Sequence, residues 1–277
     1  MIGGAHELMA NSLLWRGSDR FWAIGRPRDE HLVNQIYRNC EVMARAPLTG
    51  QRFAGMRLLR CARRPRGTMI ELYTWTTPNG QKVSIMLEEV GLPYCVHPID
   101  ITKDEQFAPD FLKIAPNNRI PAIVDTDTGL HLLESGAILL YLAEKTGRLL
   151  PQDFLAKWRV VEWLMWQMGG PGPFLGQVHH FVKFNPGKSA YAEERYAKEA
   201  KRLWGVLDRR LAQVEYVAGD YSIADIAIWP WISRFAWQRI EFADHPNVKR
   251  WYLAIAGRPA VLRGWDVLNE GRAIPMP

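Results

Sequence analysis

Between residues 69 and 149 the chain alternates strand-type and helix-type runs, and after Pro151 the strand-type runs stop. That switch constrains the fold more tightly than any composition figure. MIELYTW reads as a first strand. Pro78 sits where a helix tolerates proline, because the first helical N–H has no partner to lose. The run VSIMLEEV then places Val83, Ile85, Met86, Leu87 and Val90 at helical spacing before Gly91 ends it. YCVHPID is a second strand, 109–114 a short helix, and PAIVD and HLL two further strands across the turn DTDTG. SGAILLYLAEKTG is a helix, with Ser135 expected as its N-cap and Gly147 as its C-cap. The order β-α-β then β-β-α predicts a parallel pair joined by a right-handed crossover, followed by a hairpin.

Helical segments are expected at 154 to about 168, 191–213, 222 to about 239 and 248–256. Ser222 and Asp225, three apart and ahead of the apolar run IAIWPWI, form a capping box that starts the third. The expected architecture is a small α/β domain over 69–149 and an all-α domain over 150–277. Residues 1–68 differ in kind. They hold 12 Arg, no Lys and 5 acidic residues, a balance of +7, whereas the remainder holds 23 basic against 24 acidic residues, a balance of −1. The sequence pI of about 9.3 therefore belongs to this leader. With two serines and five acids it fits a transit peptide poorly. It is expected to be disordered, or to be upstream sequence that is not translated, with Met69 a sensible start. It carries no nucleic-acid-binding motif, so nucleic acid is not an expected partner. No apolar run approaches the roughly 20 residues needed to span a bilayer. Three scattered cysteines without a Cys-x-x-Cys pair point to a reducing cytosol.

Three dipeptides sit at loop-to-element junctions: Asn79-Gly80, Ile120-Pro121 and Glu134-Ser135. Together they would form a pocket for a small, charged peptide thiol. Each also has a plainer reading. Asn79-Gly80 alone is an ordinary turn, Glu134-Ser135 a plain cap, and Arg119 a solvated charge. Tyr73 in a strand reads as core, and Cys95 as a small inert core residue. Glu88 and Glu89 read as helix surface. Trp158, Trp163 and Trp166 read as helical packing, or as the wall of an apolar substrate site. His179 and His180 are adjacent, point apart on a helix and lack metal-ligand spacing, though they would suit the lining of a substrate cleft.

The blocks TPNGQK, PNNRIPAIVD, ESGAILLYLAEKTG and YSIADIAIWPW, in this order, resemble the cytosolic glutathione transferases. Within them the likeness is to the bacterial nu class, which includes glutathione-dependent disulfide reductases; it covers 69 to about 262. The resemblance implies a thioredoxin-like N-terminal domain and a helical C-terminal domain. It implies Asn79 and Thr77 as the groups facing the glutathione sulfur, near a helix N-terminus whose positive potential favours a thiolate. It matches Ile120-Pro121 to a cis-proline that turns the main chain of residue 120 toward the cysteinyl backbone, with Arg119 near the glycyl carboxylate. Glu134 suits the γ-glutamyl ammonium, and Ser135 with the helix amides suits its carboxylate. Gln106 is implied as a further glutathione contact. Arg195 is implied as a cation reaching the active site from the helical domain. No bound cofactor or metal is implied, and glutathione is the cosubstrate. The implied reaction is thiol–disulfide exchange through glutathione thiolate, without a protein cysteine. Conjugation to an electrophile, hydroperoxide reduction and non-catalytic regulation are the alternatives. A cytoplasmic homodimer acting on a small disulfide or electrophile completes the expectation.

Overall fold

The structure, a computed structural model, describes residues 69–277; the expectations for 1–68 lie outside the described residues. Strands β1 (Ile70–Thr74), β2 (Tyr94–Pro98), β3 (Ala122–Asp125) and β4 (Leu130–Leu133) form one sheet in the order β2-β1-β3-β4. β1 and β2 are parallel, with Leu72 opposite Val96. β3 runs antiparallel to both its neighbours, with Ile123 between Leu72 and Leu132. Side chains alternate across the sheet. Ile70, Leu72 and Ile123 enter the main core on one face; Tyr73 and Ala122 meet Phe111 and Ala115 on the other, against α2 (Pro109–Ile114).

Helices α1 (Pro78–Val90) and α3 (Ser135–Thr146) lie against the main-core face. Both end at glycines in the left-handed region, Gly91 (φ 73) and Gly147 (φ 64), as expected. Two junctions differ from expectation. Ser135 is the first helical residue of α3 rather than its cap; Glu134 holds the cap position. Asn79-Gly80 is not a reverse turn but part of the first turn of α1. Glycine stands there because a Cβ on Gly80 would lie 2.2 Å from the Trp75 carbonyl oxygen.

The helical part comprises α4 (Phe154–Gly169), α5 (Pro171–Val178), α6 (Ala190–Leu211), α7 (Ile223–Ile232), α8 (Phe235–Gln238), α9 (Pro246–Ala256) and α10 (Pro259–Asp266). A π-helical turn, His179–Phe184, follows α5. The single helix expected from 222 to about 239 is two pieces. Ser233 ends α7 with its hydroxyl donating to the Pro230 carbonyl (2.8 Å), three residues past a proline that already removes one ladder bond. The Ser222–Asp225 capping box starts α7 as expected. Among the described residues, no helix is long and apolar enough to cross a membrane.

The surface reading of Glu88 and Glu89 is corrected. Glu89 is buried and takes two bonds from Arg258 (2.7 and 2.9 Å) and one from Tyr221 (3.2 Å). Glu88 is held by Arg263 (2.6 Å) and Tyr94 (2.7 Å). The bonds from Arg258, Tyr221 and Arg263 clamp the far end of α1 to the helical part, and the one from Tyr94 ties it to β2. α10 presses on the middle of α1: a Cβ on Gly264 would meet the Ile85 Cα at 2.5 Å, and the Ser84 hydroxyl donates to the Gly264 carbonyl (2.7 Å). Trp163 and Trp166 pack edge to face at 5.1 Å, but Trp158 is 55% exposed and meets Phe154 edge to face at 6.3 Å.

Candidate active site

Every group at the mouth of the sheet is carried there by an element end. Asn79 rides the first turn of α1, Ile120 and Pro121 lead into β3, and Glu134 and Ser135 link β4 to α3. These five and Arg119 line one cavity of about 140 Å3, closed by Leu133 and Met168. The Ile120–Pro121 bond is cis. A second cavity of about 300 Å3 shares Asn79, Glu134 and Met168 and extends to Gly172, Gly176 and Trp231 of the helical part.

Three expected residues stand off these walls. Thr77 caps α1, its Oγ1 accepting from Gly80 N at 3.2 Å. Gln106 is buried in the turn Glu105–Phe107, where its amide nitrogen donates to Asp104 (3.3 Å) and its Oε1 has no partner. Arg195 is exposed on α6.

The orientation of Asn79 follows from a contact 152 residues away. Trp231 Nε1 donates to Asn79 Oδ1 at 3.1 Å. An indole N–H can only donate, so the amide oxygen must face it and the NH2 is left for the cavity. Trp231 is itself fixed. Its carbonyl accepts from Gln238 (2.7 Å), and its ring stacks on His179 at 5.7 Å, which Trp237 meets edge-on. Burial, with the Arg234 charge adding to it, pushes the His179 pKa down to about 4, so the imidazole is neutral at ordinary pH. His180 is exposed beside it.

Glu134 has φ 70, a left-handed conformation that costs a non-glycine residue roughly 1–3 kcal/mol. Its side chain makes no capping bond. The strain holds the carboxylate on the walls of both cavities rather than folded onto α3. Ser135 begins α3, where the helix N–H groups have no intrahelical partners.

Behind Ser135 lies a cation that sequence reasoning missed. Lys82 on α1 is 1% exposed and donates to Ser135 Oγ (3.1 Å) and Gln167 Oε1 (2.7 Å). Burial pushes its pKa down to about 7, with Glu134 pulling it back upward. Trp231, Gln167 and Met168 also went unpredicted. Each lies in a run whose local pattern says only apolar helix.

A separate cluster stands on β1 and β2. Glu71, Cys95 and His97 bring a carboxylate oxygen, a sulfur and a ring nitrogen within 4.8 Å of one another. The Glu71 carboxylate and His97 ring bond each other, and the ring stacks on Tyr73 at 4.5 Å, which satisfies both groups without an ion. Cys95 is buried, as expected of a small core residue, and borders this polar corner. It is not on the wall of either cavity.

Comparison with known proteins adds the following. The family description "Glutathione S-transferase, N-terminal domain" matches residues 69–144, and "Glutathione S-transferase, C-terminal domain" matches residues 173–259. The disulfide-bond oxidoreductase YfcG of Escherichia coli (strain K12) is 50% identical over 198 residues, spanning 69% of this chain and 92% of that protein. A glutathione transferase from Burkholderia graminis, solved with two glutathione molecules bound per subunit, is 46% identical with a TM-score of 0.69, covering 73% of this chain and 90% of that one. One from Pseudomonas putida, solved with one glutathione disulfide per subunit, is 45% identical with a TM-score of 0.69, covering 72% and 91%.

Proposed function

The chain belongs to the glutathione S-transferase family, and on that premise we propose that it is a glutathione-dependent thiol–disulfide oxidoreductase. The observation that carries this reading is the Asn79 amide, held by Trp231 with its NH2 toward the cavity at the N-terminal end of α1. A donor there, in the positive potential of a helix N-terminus, stabilises a thiolate over a thiol. Thr77 supports it. Its oxygen accepts from Gly80 N, which caps α1 and holds the turn that carries Asn79.

In this assignment the glutathione-binding domain is 69–149 and the helical domain 150–277. Glu134 pairs with the γ-glutamyl ammonium, while Ser135 and the N-terminus of α3 take the γ-glutamyl carboxylate. The main chain of Ile120, before Pro121, pairs with the cysteinyl backbone, and Arg119 takes the glycyl carboxylate. Gln106 is assigned to the same ligand on the family likeness, its buried Oε1 lying off the walls of both cavities. Arg195 is assigned to the carboxylate of a second glutathione.

The bound thiolate attacks one sulfur of a small disulfide. That S–S bond breaks, the departing thiolate takes a proton from water, and a mixed disulfide with glutathione remains. The thiolate of a second glutathione attacks the glutathione sulfur of that species, releasing glutathione disulfide and the second thiol. Two glutathiones are oxidised and one disulfide is reduced. The protein holds two thiols in line and stabilises charge on sulfur. Among the described residues no cysteine lines either cavity, which supports a mechanism without a protein nucleophile. A reducing cytosol is the compartment this chemistry calls for. A homodimer belongs to the same reading, supported by Phe154, Leu155 and Trp158 exposed together on α4 (71%, 77% and 55%); sedimentation of a monomer at working concentration would refute it.

The test is the rate at which the full chain reduces 2-hydroxyethyl disulfide with glutathione, wild type beside Asn79→Ala. Turnover is expected, with a fall of about tenfold to a hundredfold in the variant, the loss of one hydrogen bond to a charged group. Turnover undiminished in Asn79→Ala removes Asn79 from the sulfur site. Glutathione binding without turnover rejects the oxidoreductase.

A further inference from the structure

Among the described residues, Lys82 has no anion bonded to it. Its Nζ reaches out of α1 to the Ser135 hydroxyl on α3 (3.1 Å), to Gln167 Oε1 on α4 (2.7 Å) and to the Met168 sulfur (3.5 Å). Three ammonium protons thereby meet two neutral oxygens and a thioether, a weak acceptor. The charged group facing it is Glu134, which acts across space rather than through an ion pair. Gln167 is fully buried, and its Nε2, on the wall of the larger cavity, has no partner. A buried polar network left incomplete in this way is costly. Taking a cation out of water without a counter-ion is costly too. A leucine or methionine would fill the space without either cost, so the gain must come with what enters the cavity.

Ser135 supplies the connection. Lys82 occupies a lone pair of its oxygen, and the O–H proton is turned to the Met168 sulfur at 3.7 Å, a weak acceptor that an anionic oxygen on the cavity side would displace. The free N–H groups at the start of α3 converge on the same place. Resting on the glutathione reading above, we propose that Lys82 is the buried counter-charge for the α-carboxylate of the bound γ-glutamyl group, acting through the Ser135 hydroxyl, so that ligand binding draws a proton onto Lys82.

The network around Lys82 is poised for this. With its pKa held near 7 by burial, Lys82 is a mixture of amine and ammonium at neutral pH. A carboxylate one hydroxyl away favours the ammonium. The ligand's own ammonium opposes this by neutralising Glu134, but Glu134 makes no ion pair with Nζ, and the carboxylate dominates. Lys82 touches no reacting atom. It is a positioning residue: it orients the Ser135 hydroxyl and sets the charge of the γ-glutamyl pocket.

Proton uptake reports this, and a purely structural lysine would not produce it. Titration calorimetry of the full chain with S-methylglutathione, in two buffers of different ionisation enthalpy from pH 6 to 7.5, counts the protons bound. The S-methyl group removes the ligand thiol, whose ionisation would release a proton. About half a proton is expected to be taken up at pH 7 and close to none at pH 6, where Lys82 is already protonated. The analogue with 4-aminobutyryl in place of γ-glutamyl keeps the amine but lacks the carboxylate, and should show no uptake. Lys82→Met should also show none and should bind S-methylglutathione about tenfold to a hundredfold more weakly. If Lys82→Met does not fold, the two ligands on the wild-type chain still decide the matter. Binding of S-methylglutathione without linked uptake overturns the role of Lys82 and leaves the glutathione site standing, whereas no binding overturns both. Uptake that persists in Lys82→Met assigns the proton elsewhere and also overturns the proposal.

Discussion

Replacing Asn79 by Asp keeps the shape of the side chain and reverses one of its ends. The oxygen that accepts from Trp231 Nε1 (3.1 Å) remains, so the plane of the group stays where it is. The end turned to the cavity changes from an NH2 donor to a carboxylate oxygen. A thiolate about 4 Å from that oxygen meets a like charge worth about 4 kcal/mol at an effective dielectric near 20. It also loses a charge-assisted hydrogen bond worth about 1.5–3 kcal/mol. At about 1.4 kcal/mol per pKa unit, the thiol of bound glutathione should titrate about 3 units or more higher, until protonation of the new carboxyl caps the effect. The assay is the ultraviolet absorbance of the bound thiolate against pH, with glutathione saturating, for wild type and Asn79→Asp. Disulfide reduction at pH 7 should fall about a hundredfold or more in parallel. A thiol that titrates at the wild-type pH in Asn79→Asp, with glutathione still bound, refutes the geometry: the NH2 of Asn79 then does not face the sulfur.

Trp231→Phe keeps a ring against His179 but removes the donor that orients Asn79, and should lower kcat/KM for disulfide reduction about fivefold, the value of roughly one hydrogen bond. An unchanged kcat/KM argues that Asn79 is held by something else. Arg258→Met strips the buried Glu89 of two bonds and should cost about 3 kcal/mol in urea denaturation. A loss below about half that value would mean that solvent reaches Glu89 in place of the arginine. His179 is held neutral in the fold, its pKa lowered from 6.5 to about 4. Its contribution to stability is therefore present above about pH 6.5 and is lost as pH falls toward 4, an effect of about 3 kcal/mol. His179→Phe should flatten the difference in denaturation midpoint between pH 7 and pH 4.5, and an identical difference in both proteins would contradict that account.

Local chemistry made the strand–helix order readable. Gly91 and Gly147 end their helices in the left-handed conformation that favours glycine, and Ser222 with Asp225 starts α7 through a capping box. Cavity-lining residues at element ends, such as Ile120 and Glu134, were readable because punctuation in a sequence marks where elements end. What stayed hidden depends on distant partners. Nothing near Trp231 in the chain hints that its indole fixes an asparagine in another part of the fold. Glu89 was read as helix surface because charged residues usually are, Lys82 drew no reading at all, and only the arrival of α3, α4 and α10 encloses them. The helix expected from 222 to about 239 fails for a related reason. Its apolar pattern continues through Ser233, but the chain turns there after Pro230 has already weakened the ladder.

The bond from Ser84 to Gly264 joins residues 180 positions apart. At about 5–20 residues per second, a ribosome needs roughly ten to forty seconds to make that stretch. Throughout that interval α1 is present, with Thr77 and Asn79 at its tip, but the face that receives α10 is bare. The α/β portion, synthesised first, therefore keeps an uncovered face on α1 until the helices that follow it are made. Tying α1 to an element made 180 residues later delays the packing of the helix that carries Asn79 until the helical part is present.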